Sequence, residues 1–241
     1  MSEIALSFGR VAELYDRVRP PYLPESLDRT QEALGLNASA EVLDLAAGTG
    51  RLTEELARRF ARVIAVEPND AMRERIRFGE VLAGNAEEIP LPDSSIDAVF
   101  VGEAFHWFEP ERAVAEIERV LRPRGGVALL SNLWWETVPP IPNAAVDILR
   151  VPYVASGRAA AVETWREAFA ESPFEPLRDE CFEWQLQVDP DRLLDLYQTT
   201  SSMAALPVEE REALVRQVRP LLASSYGLPI RVELTWTRLP A

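Results

Sequence analysis

Short apolar runs alternate with helical stretches through the first half of the chain, and this alternation limits the possible folds more than any other feature. The runs are apolar on both faces, which is typical of buried strands, and the stretches between them carry helical apolar faces such as Leu52, Leu56 and Phe60. Strands and helices in alternation form a parallel sheet covered on both sides, and right-handed crossovers make it a doubly wound α/β fold. We predict five strands here, at residues 41–45, 63–66, 81–83, 96–101 and 127–130.

The segments on either side of this alternation predict further elements of a single domain. An N-terminal helix presents Phe8, Val11, Tyr15 and Val18 on one face and ends at the prolines 20–21. A proline-rich stretch after residue 134 breaks the alternation and indicates a cap insertion, with a helix that presents Val162, Trp165 and Phe169. Two more strands are predicted at 181–188 and 230–236, further helices at 24–35, 71–77, 110–121, 191–204 and 207–223, and a turn at 122–126.

The inventory of reactive side chains excludes several kinds of chemistry. All 25 cationic side chains are arginine, so the lysine of a P-loop and the lysine of a Schiff base are both missing. His106 and Cys181 are the single histidine and the single cysteine, which is too few for a structural zinc site and leaves no internal disulfide. We expect no metal, a reducing compartment, and Cys181 buried in its strand.

The net charge and the hydropathy of the chain limit the classes of partner that it can bind. A net charge of −14 disfavours sequence-independent binding to nucleic acid. No apolar run approaches the length that spans a bilayer. The first residues lack the basic start and apolar stretch of a secretion signal. We therefore expect a cytoplasmic protein, a monomer or homodimer, that acts on a small molecule and binds neither nucleic acid nor membrane.

A glycine turn follows the first predicted strand, and an acidic residue ends the second. Gly48 and Gly50 let a ligand approach the backbone beside the start of a helix, and Glu67 is placed to accept the hydroxyl protons of a ribose. Together these features indicate a nucleoside ligand. Thr53 occupies the third glycine position of the dinucleotide fingerprint, and the carboxylate of Asp44 would repel a pyrophosphate but suits a cationic ligand such as S-adenosylmethionine.

These residues resemble a known family. Residues 44–50 (DLAAGTG) are similar to motif I of the class I S-adenosylmethionine-dependent methyltransferases, with Ala46 at a position where many members have glycine. Residues 63–72, 84–91, 95–108 and 121–130 resemble the later motifs in the family's order. The resemblance implies a Rossmann-like, mostly parallel seven-stranded sheet that ends in a C-terminal β-hairpin. It also implies cofactor contacts, beyond those above, from Ala46, Pro68, Met72, Asn85, Ala86 and Glu103.

A narrower resemblance is to the trans-aconitate methyltransferase-like branch, a group that acts on small molecules. It is carried by residues 8–12 (FGRVA), Tyr15, Arg19 and the pair His106-Trp107. It implies that residues 1–23 form a lid, with Tyr15 over the cofactor and Arg19 on the cofactor carboxylate. The division that follows is lid, cofactor core at 38–133, cap with a substrate role at 134–178, and a C-terminal part at 179–241.

The aromatic residues and the single histidine supply the predicted substrate site. His106 follows the fourth strand, so we expect it beside the methyl donor, either as a general base or as a residue that positions the substrate. Trp107, Trp134 and Trp135 are candidates for an apolar substrate wall. An activated methyl donor needs neither a metal nor a covalent nucleophile, because alignment alone accelerates the displacement.

The leading hypothesis is methyl transfer from S-adenosylmethionine to an oxygen, a carboxylate or a hydroxyl, of a small molecule. The first alternative is a nicotinamide-dependent oxidoreductase, which Thr53 and Asp44 disfavour. The second is a non-catalytic module that binds the cofactor. The third is nucleic-acid methylation, although the amino-methyltransferase signature is missing after the fourth strand, where residues 102–104 read GEA.

Overall fold

The computed structural model describes residues 11–134, 141–155 and 165–240. Its strands are β1 (Glu41–Leu45), β2 (Arg62–Val66), β3 (Glu80–Leu82), β4 (Ile96–Gly102), β5 (Leu121–Leu133), β6 (Arg178–Val188) and β7 (Tyr226–Arg238). They form one sheet in the order β3-β2-β1-β4-β5-β7-β6. The first five strands are parallel, and β7 runs antiparallel to both of its neighbours. The predicted fold class, a doubly wound and mostly parallel seven-stranded sheet, is confirmed.

Helices flank this sheet. They are α1 (Ala12–Val18), α2 (Pro24–Ala33), α3 (Arg51–Ala57), α4 (Asp70–Arg73), α5 (Pro110–Val120), α6 (Asn143–Ala155), α7 (Trp165–Ala170), α8 (Pro190–Gln198), α9 (Ser201–Ala204) and α10 (Val208–Val218). Single 3₁₀ turns occur at Phe105–Trp107 and Arg219–Leu221. None of the helices in the described ranges is long and apolar enough to cross a membrane.

The sheet has an apolar core on each face because successive strand residues point to opposite sides. In β1, Leu43 and Leu45 pack with α5 in one core, whereas Val42 packs with α2 and α3 in the other. The amphipathic face of α5 supplies four buried residues to the first core: Ala113, Val114, Ile117 and Val120.

A third apolar cluster, the cap cluster, joins parts of the chain that are far apart in sequence. It combines the end of α1 with Trp134, α6, α8, α10 and the inward residues of β6 and β7. Its members include Val18, Trp134, Ala145, Leu149, Leu193, Val218 and Val232. This cluster connects the N-terminal helix to the C-terminal half of the molecule.

The boundaries of several elements differ from the predictions. The helix expected at 71–77 is the single turn α4, which Asn69 caps by accepting a hydrogen bond from the Met72 amide. Strand β5 begins at residue 121 and takes in the expected turn at 122–126, and its residues from Gly126 onward pair with β7. The helix expected at 191–204 breaks into α8 and α9, because Thr199 and Thr200 donate their hydroxyls to carbonyls three residues back.

The last two strands also differ from the prediction. β6 and β7 are antiparallel neighbours, but α8, α9 and α10 separate them in sequence, so they are not a hairpin. Cys181 was expected to be buried, and this expectation is wrong. It lies on the edge strand β6 in register with the outward residues, and its sulfur accepts a hydrogen bond from Arg231 Nη2 over 3.4 Å.

Candidate functional site

The loop between β1 and α3 has a backbone that few sequences can adopt. Ala46, Gly48 and Gly50 all have positive φ, at 58°, 59° and 84°. A Cβ on Gly50 would lie 2.9 Å from Cγ2 of Ile76, so that position needs glycine for space as well as for conformation. A non-glycine residue such as Ala46 in this region stores strain, which concentrates at binding sites. The turn directs free amides of the α3 N-terminus toward the carboxyl edge of the sheet.

Glu67 joins this turn to the end of β2. Its Oε2 accepts the amide of Gly48 and its Oε1 accepts the amide of Asn69, each over 2.8 Å. The side chain is only 6% exposed, and burial raises its pKa, while the two amides and the charge of Arg73 lower it. Each carboxylate oxygen keeps a lone pair, so Glu67 can accept two hydroxyl protons from a ligand.

Asp44 is a second buried carboxylate, beneath the same turn. Its Oδ2 accepts the hydroxyl of Thr53 over 2.6 Å, and the side chain is 1% exposed. Burial raises the pKa of Asp44 to about 7; the charge of Glu67 also raises it, and the bonds from Thr53 lower it. Two carboxylates so close together favour a ligand that carries positive charge. The sequence drew attention to Thr53 only because it replaces the third glycine of the dinucleotide fingerprint. In the structure, its hydroxyl is the hydrogen-bond donor that positions Asp44.

Glu103 lies at the carboxyl end of β4 with an unusual backbone. Its φ is +61°, its amide donates to Leu130 O over 2.9 Å, and its Oε1 accepts the Asn132 amide over 2.6 Å. Burial raises the pKa of Glu103, and the charge of Arg19 and the Asn132 amide lower it. The side-chain oxygen of Asn132 is buried without a hydrogen-bond partner. The ends of β4 and β5 thus add a third carboxylate and an unused acceptor to the site.

The N-terminal helix α1 lies over this edge of the sheet. The phenol of Tyr15 has its pKa raised by burial and altered by four charged neighbours, namely Arg19, Glu103, Arg51 and Glu67. Tyr22 follows α1, and a Cβ on Gly102 would lie 2.1 Å from its hydroxyl, so only glycine at the end of β4 admits this side chain. Sequence reasoning did not identify Tyr22 as a site residue.

Arg51 holds the C-terminal end of α1 to the glycine turn. It is the first residue of α3, and its guanidinium donates to Asp16 O over 2.6 Å, to Arg19 O over 2.7 Å and to Pro20 O over 3.2 Å. These are carbonyls at the C-terminal end of α1, which lack partners inside the helix. Sequence reasoning did not identify Arg51 as a site residue. The only local indication of its role was that a cationic residue follows Gly50 directly.

Arg19, the predicted partner of the cofactor carboxylate, links the end of α1 to the end of α8. Its Nε donates to the hydroxyl of Thr199 over 3.0 Å and its Nη2 to Thr199 O over 2.7 Å. The guanidinium also lies 4.6 Å from the centre of the Tyr15 ring. Two of its donor groups are therefore engaged within the protein.

The residues expected around adenine lie in two loops beside the turn. Met72 is 5% exposed, and its Cε lies 3.5 Å from the point a Cβ on Gly48 would occupy, while Pro68 is half-buried. Asn85 accepts the Glu87 amide through its side chain over 3.0 Å, and Ala86 is 2% exposed within the first core.

The predicted substrate residues lie in different surroundings. His106 is exposed on the 3₁₀ turn after β4, with its ring 4.8 Å from that of Trp107, which is half-buried. Trp134 is fully buried in the cap cluster, edge-on to Tyr197 at 5.1 Å. Trp135 lies outside the described residues.

These positions allow a test of the fit to S-adenosylmethionine. Two buried carboxylates surround a strained glycine turn, and two buried polar atoms, Thr49 Oγ1 and Asn132 Oδ1, have no hydrogen-bond partner. Orphaned polar atoms of this kind are rare in proteins, so a ligand or a water has to supply their partners. The donor set suits a ligand with a ribose and a cationic end. Over the described stretches, no three His, Cys, Asp or Glu residues are grouped as metal ligands.

Comparison with known proteins places this geometry in context. A family model described as a methyltransferase domain matches residues 43–129. An uncharacterized methyltransferase of Mycobacterium tuberculosis (strain H37Rv) is 36% identical over 230 residues, which cover 94% of this chain and 89% of the relative. A malonyl-[acyl-carrier protein] O-methyltransferase of Methylococcus capsulatus is 36% identical over 137 residues, 52% of this chain and 50% of that protein.

The fold is shared with solved structures at lower identity. A protein from an antibiotic biosynthesis pathway of Anabaena variabilis superposes with a TM-score of 0.66 at 22% identity, covering 91% of this chain and 98% of the other. At that identity the likeness supports the fold alone. The glycine turn and its acidic partners lie within the range that the family model matches.

Proposed function

Because the chain belongs to the class I S-adenosylmethionine-dependent methyltransferases, we propose that it methylates an oxygen of a small-molecule acceptor. The observation that carries the cofactor part is the pair of buried carboxylates, Asp44 and Glu67, around the Gly48–Gly50 turn. A pyrophosphate would be repelled there, which disfavours the nicotinamide alternative.

The residues that would hold the cofactor divide by the chemistry of its parts. Glu67 would accept the ribose hydroxyls, and Pro68, Met72, Asn85 and Ala86 would border the adenine. For the amino-acid end the candidates are Tyr15, Arg19, Asp44, Glu103 and the backbone of Ala46, Gly48 and Gly50. When bound, S-adenosylmethionine supplies a methyl group on a sulfonium, which an acceptor oxygen can displace in line.

An oxygen acceptor suits a protein that has few side chains able to act as a base. An ionised carboxylate or phenolate needs no strong base, and this chain contains one histidine and no lysine. His106, on the turn after β4, would position the acceptor or take its proton. The Methylococcus capsulatus relative is an O-methyltransferase, and its similarity covers half of this chain.

We also propose which segments cover the substrate site. Residues 1–23 would act as a lid, since Arg51 holds α1 above the turn. Residues 134–178 would form the cap and give the acceptor its walls, with Trp107 and Trp135 as the aromatic candidates; Trp134, the third predicted wall residue, is fully buried in the cap cluster instead. Residues 38–133 would bind the cofactor, and residues 179–241 would complete the sheet. Lid and cap would exclude water from the displacement.

Calorimetry with S-adenosylhomocysteine tests the cofactor site, and a methyl-transfer screen over small carboxylic acids and phenols tests the acceptor. We expect binding of S-adenosylhomocysteine and no binding of NAD. The reverse result would assign the chain to the nicotinamide enzymes. Cofactor binding without transfer to any acid, phenol or alcohol would indicate the non-catalytic module instead.

A further inference from the structure

Arg211 is a buried cation whose guanidinium is largely unused. The residue is 8% exposed, and its Nε and Nη1 are buried without a hydrogen-bond partner. Other half-buried arginines, such as Arg51 and Arg119, donate to several oxygens at once. A buried charge without a partner is expensive, so natural proteins keep one where a ligand or function requires it.

Arg211 lies on α10, a helix that packs against the segment proposed as the cap. Val215 and Val218 follow it by four and seven residues on α10, so the three share one helix face. Val218 is fully buried in the cap cluster and Val215 packs against it, together with Trp134. α10 packs against α6, which belongs to the segment proposed as the cap. Arg211 therefore lies on the face of α10 that contacts the cap cluster.

The acidic residues near Arg211 do not neutralise it. Glu212, its neighbour on α10, pairs with Arg216 over 3.5 Å. Glu209 and Glu210 are exposed at the start of the helix, and Asp147 is exposed on α6. Among the ion pairs of the described residues, none includes Arg211. The anion that would balance this cation is thus missing from the described part of the protein.

We propose that Arg211 binds a carboxylate of the methyl acceptor, which makes the acceptor an organic acid with a second, nucleophilic oxygen. This inference rests on the proposed function. A guanidinium presents parallel N–H donors that match the two oxygens of a carboxylate. The interaction between the two groups is stronger in a site without water. A carboxylate paired with arginine is a weaker nucleophile, so the bound group anchors the acceptor while another oxygen receives the methyl group. Arg211 is in this sense a positioning residue for specificity.

The test compares the wild type with Arg211→Met, Arg211→Lys and the matched control Arg216→Met, an exposed arginine of the same helix. Each is saturated with S-adenosylhomocysteine and titrated with sodium malonate, succinate and glutarate at constant ionic strength, and binding is followed by Tm and calorimetry. We expect at least one of these diacids to bind the wild type and Arg216→Met. For Arg211→Met we expect an affinity loss of about tenfold or more, and an intermediate loss for Arg211→Lys. Without diacid, the Tm of Arg211→Met should equal or exceed that of the wild type, because an uncompensated charge has been removed.

Three outcomes would overturn the inference. They are equal diacid affinity in Arg211→Met and wild type, no diacid binding to the wild type, and a clear fall in the ligand-free Tm of Arg211→Met below that of Arg216→Met. The last would mean that Arg211 serves the fold. Binding of S-adenosylhomocysteine is measured in every variant, so its loss in the wild type would refute the proposed function separately.

Discussion

At the residue scale, Asp44 is a side chain whose charge depends strongly on its surroundings. Burial raises its pKa from 3.8 to about 7, so the carboxyl changes charge near neutral pH. A folded-state pKa above the unfolded value means that the group stabilises the protein below the unfolded pKa. That stabilisation is lost as the pH rises through the folded pKa. The protein thus holds a carboxylate that is costly when ionised, and a cationic ligand would compensate this cost.

Cofactor affinity should therefore depend on pH through Asp44. We expect the affinity for S-adenosylmethionine to increase as the pH rises through about 7, because the ionised carboxylate attracts the positive ligand. Calorimetry across this range measures the effect. Asp44→Asn should remove the dependence, and Thr53→Val should move it to higher pH, since the Thr53 hydroxyl lowers the pKa. An unchanged pH profile in Asp44→Asn would contradict the assignment.

Glu67 should matter for binding more than for folding. In Glu67→Gln one of the two amide bonds from Gly48 and Asn69 faces an NH₂ group, and the ribose loses a charged acceptor. We expect the affinity for S-adenosylhomocysteine to fall about 10- to 100-fold, the usual value of a hydrogen bond to a charged group. Calorimetry measures this loss, with the exposed Glu74→Gln as the control. Equal affinity in both variants would rule out the ribose role.

Sequence reasoning found the carboxylates of the site but not the residues that hold them. Asp44, Glu67 and Glu103 follow or end predicted strands, and parallel strands bring such positions to one edge. Thr53, Arg51 and Tyr22 act through side-chain directions that no local pattern encodes. Arg51 is at the start of a predicted helix, but the carbonyls it binds come from a helix 32 to 35 positions earlier.

At the element scale, the attachment of α1 is the feature with a direct test. Arg51→Met removes the donors to Asp16 O, Arg19 O and Pro20 O while keeping an unbranched apolar stem. We expect faster hydrogen exchange over residues 12–22 and a stability loss of about 1–3 kcal/mol, because the C-terminal carbonyls of α1 lose their partners.

Hydrogen exchange by mass spectrometry and urea unfolding measure these effects. Arg58→Met is the matched control, because Arg58 lies on the same helical segment and pairs with Glu54 at an exposed surface position. Exchange over residues 12–22 that is as slow in Arg51→Met as in Arg58→Met would show that Arg51 does not hold the lid.

The boundaries of elements were the part of the fold that local patterns described least well. β5 extends beyond its predicted apolar run on both sides because the neighbouring strands β4 and β7 continue to pair with it. The division between α8 and α9 depends on hydroxyl bonds of Thr199 and Thr200, which compete with the helix. In each case pairing or side-chain bonding overrides the periodicity of apolar residues.

At the scale of the whole molecule, the cap cluster joins α1, α6 and the C-terminal half into one unit. Trp134 is fully buried at its centre. We expect Trp134→Ala to cost about 3–5 kcal/mol in free energy of unfolding, since a large cavity forms in a cluster to which six helices and strands contribute. Urea unfolding measures this cost, and Trp107→Ala, a half-buried tryptophan on the turn after β4, is the control. Similar costs for both variants would mean that Trp134 is not a core residue.

The sequence by itself determined the α/β class, the approximate positions of the five strands of the first half and the acidic glycine turn. It did so because short-range periodicity decides strands and helices, and parallel pairing then places their carboxyl ends together. Only the tertiary structure decided the roles of residues whose partners are remote. Arg51 on the end of α1, Arg19 on Thr199 and the unpaired, buried Arg211 are the main cases. Which face a helix turns inward, and which carbonyl an arginine reaches, depends on the packing of the whole chain and not on its local pattern.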